Sequence, residues 1–336
     1  MIEESAVEEL LSGSTPGVRL DSLERVSGGG NNLALRARSG ERSWLVKAYG
    51  HHPGRDGRDR LEREFGLLSF LWREGVRCIP EPVAASTERS LAAYSWIEGV
   101  RPAPGEIAAA DVSALARFLG TLWTLREKPG AKAALPLAAE ATFSSRELVH
   151  LVERRFERLR AGVEPDPIGR EALAFVEGDL ARAFDAVREA ILREGDPDAV
   201  LPAAERTLSP SDHGFHNALR TGSGWVFIDF EYGGWDDPAK MLADAVLQPA
   251  VPLSGALAPA FIEETLRLLG PETGLYARFR RLYPLWSLKW CLILLNEFLP
   301  QGRERRRRAG GDPALDTRPA QLEKSRAALD RLKNEL

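Results

Sequence analysis

The run Ser209-Pro210-Ser211-Asp212-His213-Gly214-Phe215-His216-Asn217, followed after a short apolar hairpin by Ile228-Asp229-Phe230-Glu231, decides how this chain is read. An aspartate leads an asparagine by five positions in a loop, and a second aspartate closes the next apolar strand. Taken alone, Asp212 and Asn217 also suit a polar loop that satisfies its own backbone N–H groups. Their meaning therefore depends on what lies upstream.

Upstream, Leu23 to Ser27, Leu33 to Arg38, Ser43 to Tyr49 and Leu91 to Trp96 are apolar, β-branched and aromatic runs separated by turn residues, the pattern of one antiparallel sheet. Gly28, Gly29, Gly30, Asn31 and Asn32 join the first two runs, and glycines there let the backbone approach a phosphate or simply turn. A Walker loop does not fit, because no Gly-Lys-Ser/Thr follows, nor does a dinucleotide fingerprint, because a strand rather than a helix comes next. Lys47 lies inside the third run, and Arg58 to Glu74 carries Leu61, Phe65, Leu68 and Trp72 at helical spacing. Glu62 or Glu64 on that helix is placed to pair with the lysine ammonium. Add Asp212, Asn217 and Asp229, and the set suits phosphoryl transfer. One carboxylate aligns a hydroxyl and takes its proton late, while an amide and a second carboxylate hold a divalent cation.

Glu98, Gly99, Pro102, Pro104 and Gly105 form a connector beyond which helical patterns take over. The expected division is residues 1–98 as a nucleotide-binding lobe and 99–336 as a helical lobe with the catalytic loop and acceptor site. Helices are expected at Ile107 to Arg126, Ser145 to Arg160, Arg170 to Arg193, Ala258 to Leu269, Leu282 to Leu299 and Pro319 to Leu336. Ala218 to Thr221 and Trp225 to Asp229 read as a hairpin about Gly222, Ser223 and Gly224.

Composition narrows the class. With 45 Lys and Arg against 49 Asp and Glu, the formal charge of -4 offers no global field for nucleic acid or an acidic membrane. The apolar stretch Leu282 to Leu299 is interrupted by Pro284, Lys289, Asn296 and Glu297 within the ~20 residues that a span needs, so it reads as a buried helix. Cys78 and Cys291 are far apart and read as reduced and buried, and the acidic start Met1 to Leu11 has no secretory pattern; both point to the cytoplasm.

Taken in order, the Gly-rich hairpin, strand lysine, helix glutamate, Asp and Asn pair and strand-ending aspartate resemble the aminoglycoside phosphotransferase family over about Leu23 to Asp244. The resemblance implies an α+β, bilobal protein-kinase-like fold, with an antiparallel sheet and a helix in the N-lobe and a mainly helical C-lobe. It implies ATP and Mg2+ as cofactors and a small-molecule hydroxyl as acceptor. Arg63 and Glu64 match the family's Arg-Glu pair, which makes Glu64 the partner of Lys47. Asp212 falls on the catalytic aspartate, Asn217 and Asp229 on the magnesium ligands, and Tyr94 to Glu98, with Ser95, Trp96 and Ile97, on the hinge that meets adenine. Pro210 stands where the family commonly has histidine, His213 where an apolar residue is usual, and Met241 where an aspartate is normal.

Only seven residues separate Asp229 from Asp237 and Pro238, which leaves no room for the long segment that docks a peptide in protein kinases. The acceptor is expected between Tyr232 to Asp237 and the helices beyond Ala258. Tyr232 and Trp235 would stack on a sugar ring, Asp236 would serve as a free carboxylate, and Asp237 would cap a helix. The late chain, with its run Arg303 to Arg308, is arginine-rich, which favours a neutral or anionic sugar-like metabolite over a cationic aminoglycoside. The rival readings are a catalytically weak nucleotide-binding regulatory module, motivated by Pro210 and His213, and a zinc hydrolase built on His213, His216 and Asp212 with His51 and His52.

Overall fold

The computed structural model describes residues 2–26, 32–50, 57–270, 274–308 and 315–335. The chain opens with helix α1 (Glu4–Ser12) and strands β1 (Ser22–Arg25), β2 (Leu33–Ser39) and β3 (Arg42–Ala48). Helix α2 (Gly57–Arg73) and strands β4 (Pro82–Ser86) and β5 (Leu91–Ser95) follow. The five strands form one antiparallel sheet in the order β1-β2-β3-β5-β4.

Alternation on β3 explains how this sheet serves two cores. Trp44 and Val46 pack with Val7 and Leu11 of α1, whereas Leu45 and Tyr49 join the main core beneath α2. Lys47 shares the second face, opposite Ala34 and Ala92 in the ladder, so it points into the cleft and away from water. On α2 the buried residues are Leu61, Leu67, Leu68, Phe70 and Leu71, with Arg60 and Glu64 among them, while Phe65 and Trp72 are only half-buried. The buried stripe is thus rotated from the one expected, and it carries a carboxylate. Strand β4, begun by Pro82, has no alternating apolar pattern; its neighbour β5 supplies the burial.

The helical lobe contains α3 (Ala109–Leu125), α4 (Pro129–Ala134), α5 (Ser145–Gly162), α6 (Pro167–Phe175) and α7 (Ala181–Arg193). Strands β6 (Thr207–Ser209), β7 (Ala218–Thr221), β8 (Gly224–Phe227) and β9 (Gly234–Asp236) then lead into α8 (Pro238–Leu247), α9 (Leu257–Leu269), α10 (Leu275–Leu294), α11 (Pro300–Arg308) and α12 (Arg318–Glu335). The single helix expected over 170–193 is two, joined by the π-helical turn Val176–Leu180 and capped at its start by Asp166, which accepts from the Gly169 N–H at 2.8 Å. Helix α10 begins seven residues before the expected Leu282 and carries Pro284 in its interior. It also ends earlier, in the 3-10 turn Leu295–Phe298, so the Arg303 to Arg308 run occupies the separate helix α11.

Two short pairings position the loop that carries Asp212. β6 pairs with β9, and β7 with β8, the latter hairpin being the expected one. Phe118 of α3 stacks on Phe227 with centroids 4.4 Å apart and meets Phe230 edge-on at 6.1 Å, so α3 holds the segment on both sides of Asp229. Cys78 is half-buried, against expectation, and Cys291 is buried; both are free thiols. Among the described residues no helix is long and apolar enough to cross a membrane.

Gly234 has φ +155°, and a Cβ there would lie 2.4 Å from the Pro136 carbonyl oxygen and 2.7 Å from the Ala138 nitrogen. Both atoms belong to backbone and cannot give way. Gly234→Ala is expected to lower stability by about 2 kcal/mol or more, measured by urea unfolding of the purified variant.

Candidate active site

Lys47 is the centre of the site. Its ammonium lies 2.7 Å from Glu64 Oε1 and 2.8 Å from Asp229 Oδ1, so β3, α2 and the segment after β8 meet at one cation. Of the two helix carboxylates considered, Glu64 is the partner. The same Glu64 oxygen accepts the Phe230 N–H at 3.2 Å, and its other oxygen accepts the Tyr49 hydroxyl at 2.6 Å, which is itself 2.8 Å from the Tyr94 hydroxyl.

Burial alone would drive Lys47 towards its neutral form, but the charges of Asp229 and Glu64 outweigh it and hold the ammonium protonated far above its ordinary range. For Asp229 burial pushes the carboxyl up, and Lys47, by charge and hydrogen bond, more than reverses this and keeps it ionised. Burial first, then the Glu64 charge, raise the Tyr49 and Tyr94 hydroxyls, which therefore act only as neutral hydrogen-bonding groups.

In front of this triad lies a cleft of about 280 Å³. Val26, Ala34, Leu45, Pro80, Leu219 and Ile228 give it apolar walls, Ser95, Trp96 and Ile97 line one edge, and Lys47, Glu64 and Asp229 lie at its polar end. Arg36 fixes that edge from outside, its guanidinium 4.3 Å over the Trp96 ring and paired with Glu98 at 2.5 Å. Gly28, Gly29, Gly30 and Asn31 lie outside the described residues. Their neighbour Asn32 lines the cleft and donates to Glu231, which also pairs with the buried Arg60 at 3.1 Å. The sequence placed no role on Arg60 or Glu231, because each looks like one charge on an exposed face. Burial and the Asp229 charge push the Glu231 carboxyl up, while Lys47 and Arg60 act against that shift.

The loop carrying Asp212 approaches from the helical lobe. His216 Nε2 lies 3.1 Å from Asp212 Oδ1, and the carboxylate is 41% exposed, which leaves it room to meet a substrate. Asn217 donates its amide to the Asp212 carbonyl at 2.9 Å, so Oδ1 is the atom available to a cation. Asp229 sits at φ +67°, a left-handed conformation that costs a non-glycine residue energy and turns its carboxylate to Lys47. Asn217 Oδ1 and the Asp229 carboxylate are hard oxygen donors of few enough number to leave water and phosphate positions free, which fits magnesium. Arg101, exposed at the cleft edge, donates to the His216 carbonyl at 3.2 Å.

Asp236 departs from expectation. It is completely buried, pairs with Lys240 at 2.6 Å and accepts the Asp237 N–H at 2.9 Å, so it is no free carboxylate for an acceptor. Asp237 caps α8 as expected, through the Ala239 N–H at 2.8 Å, and is held by Arg278 at 2.7 Å. Trp235 is half-buried and its indole N–H donates to the Ala131 carbonyl at 3.3 Å. Tyr232 is half-buried beside the 136–141 segment, accepting the Ala139 N–H on its carbonyl at 2.9 Å. Among the described residues no group of three His, Cys, Asp or Glu side chains is placed to hold a metal, which removes the zinc reading of His213, His216 and Asp212; His51 and His52 are not described.

The sequence from residue 22 to residue 282 matches the phosphotransferase enzyme family, and the chain belongs to that family. It is therefore a phosphotransferase, as the resemblance implied. No curated protein matches the sequence. Among solved structures, the chain is similar to spectinomycin phosphotransferase APH(9)-Ia in complex with ADP and spectinomycin, at 14% identity and TM-score 0.67, with 99% of each chain covered. It is also similar to the choline kinase LicA of Streptococcus pneumoniae, at 17% identity and TM-score 0.60, covering 98% of this chain and 99% of that one. An ethanolamine kinase of Plasmodium vivax matches at 17% identity and TM-score 0.60, over 98% of this chain and 89% of the other. At these identities the likeness establishes the bilobal kinase-like fold.

His213 is buried against Lys240, Asp244 and Asp212. Burial, with the Lys240 charge, holds its imidazole at about 4 against an ordinary 6.5, and Asp244 and Asp212 offset only part of this. The unfolded chain takes up that proton as pH falls below the ordinary value while the folded chain does not, so stability present above that value is lost as the pH falls towards the folded one. The loss is about 3 kcal/mol. His213→Gln should flatten the dependence of Tm on pH over this window, and calorimetric melts of both proteins check it.

Proposed function

We propose that this protein transfers the γ-phosphoryl group of ATP, with Mg2+, to a hydroxyl of a small, sugar-like acceptor. The observation that carries the reading is the Lys47 ammonium clamped between Glu64 and Asp229 at the polar end of an apolar cleft, with the Asp212 loop joined to the cleft wall where the Asn217 carbonyl accepts the Ile228 N–H at 2.9 Å. Adenine would lie between the apolar walls and the Ser95, Trp96 and Ile97 edge, and Lys47 would meet phosphate oxygens. The turn of Gly28, Gly29, Gly30 and Asn31 would cover those phosphates.

Asn217 and Asp229 would hold the magnesium, which supplies charge neutralisation on the transferred group when bound. Asp212 aligns the acceptor hydroxyl. His216 holds one of its oxygens, leaving the other to accept the hydroxyl proton late in a loose transition state. Tyr232 and Trp235 remain the aromatic residues proposed for the acceptor side, without Asp236. Arg101 beside His216 adds positive charge at the mouth, which favours a neutral or anionic acceptor over a cationic drug. The free thiols Cys78 and Cys291 suit action in the reducing cytoplasm.

Incubating the protein with a cell extract and labelled ATP should yield a metabolite heavier by one phosphoryl group, detected by mass spectrometry. Asp212→Asn should lower that turnover by about a hundredfold or more while MgATP binding persists. A wild-type protein that binds MgATP and never consumes it with any acceptor pool would make the chain a nucleotide-binding regulatory module instead.

A further inference from the structure

Ser211, immediately before Asp212, has φ +67°, and the Asp212 N–H reaches back to the Pro210 carbonyl at 2.9 Å. A hydrogen bond across three residues with a positive φ at the middle one is the rare, strained form of the γ-turn. Strain of this kind persists only where the surroundings over-determine it. Three contacts do so here. The Ser209 hydroxyl accepts the Ser211 N–H at 2.9 Å, the Ser211 hydroxyl donates to the Ala139 carbonyl at 3.3 Å, and the Lys240 ammonium donates to the Ser211 hydroxyl at 3.0 Å.

Lys240 is otherwise hard to account for. It is 1% exposed and stands in the first turn of α8, where the helix dipole disfavours a cation. Asp236 at 2.6 Å and Asp244 at 3.0 Å keep it charged, and Asp244 is in turn held by Lys289 at 3.0 Å and the Trp290 indole N–H at 3.0 Å. A buried ionic chain of this sort adds little to stability compared with apolar packing of the same volume. Among the described residues its one hydrogen bond to the loop carrying Asp212 is to the Ser211 hydroxyl.

We propose that Lys240 is a positioning residue for catalysis: through the Ser211 hydroxyl it holds the strained turn that aims Asp212 at the acceptor. The proposal rests on the phosphotransferase reading of Asp212. The ionic chain supplies rigidity and the charge, Ser211 transmits it, and Asp212 alone touches substrate.

Two substitutions separate positioning from folding. Ser211→Ala removes the hydroxyl and leaves the Lys240 pairs with Asp236 and Asp244 intact, whereas Lys240→Met breaks the chain itself. Ser211→Ala should raise amide hydrogen exchange over residues 211–217 by about tenfold with exchange in α8 unchanged. It should also lower kcat for hydrolysis of MgATP, with water as the acceptor probe, by about tenfold while KM for MgATP stays within about twofold. Ser211→Gly, which adopts positive φ without strain, should recover part of that kcat. The double variant with Lys240→Met should be slower than Lys240→Met alone by much less than the full effect of Ser211→Ala, since the two substitutions share the Lys240 to Ser211 contact and only the hydroxyl's bond to Ala139 is lost in addition. Loop exchange and kcat both unchanged in Ser211→Ala, or additive effects in the double variant, would overturn the proposal. A wild-type protein without nucleotide turnover would instead count against the phosphotransferase reading, and the exchange measurement would still decide whether Ser211 holds the loop.

Discussion

One ammonium group ties the two lobes together. Lys47 reaches Glu64 within the N-lobe and Asp229 in the C-lobe, and Glu64 also binds the Phe230 N–H, so the helix, the sheet and the turn at Asp229 are fixed relative to one another by a closed loop of short contacts. Each partner is buried or half-buried, and removing any one leaves an uncompensated charge in a poorly solvated site. That constraint explains why α2 presents a carboxylate on its buried stripe and why Asp229 tolerates a left-handed backbone. The Asn32, Glu231 and Arg60 cluster forms a second tie between the lobes beside the first.

The helical lobe solves a related problem with the opposite composition. Asp236, Lys240, Asp244 and Lys289 alternate in sign through the interior, two anions against two cations, so no net charge is buried. Burial pushes the Asp236 carboxyl up despite Lys240, whereas Asp244, between two ammonium groups, is held far below its usual range. This ionic chain ends at the Ser211 hydroxyl, beside Asp212, rather than at the surface. Specificity of loop geometry, more than stability, is what such an arrangement offers.

Much of the N-lobe was legible because apolar, β-branched and aromatic runs bounded by turn residues mark strands, and β1, β2, β3 and β5 lie within a residue or two of the four runs. The order of Lys47, Glu64, Asp212, Asn217 and Asp229 was legible because each element's type survives in sequence. Short strands such as β6 and β9, of three residues each, leave no period to detect. Asp236 was misread for a different reason: in the sequence it belongs to a short polar segment just before the helix that Pro238 opens, and only the pairing of β9 with β6 and the Lys240 ammonium on α8 make it interior. The choice between Glu62 and Glu64 likewise depended on helix rotation, which the expected stripe of Phe65 and Trp72 placed slightly off.

Under the proposed function the Lys47 and Asp229 pair is a nucleotide and metal clamp rather than a structural ion pair. Calorimetric titration of ATP into the protein, with and without magnesium, tests it most directly when repeated on Asp229→Asn. Magnesium should tighten ATP binding to the wild type by about tenfold or more, and the enhancement should disappear in the variant, which still binds free ATP. Equal enhancement by magnesium in both proteins would contradict it.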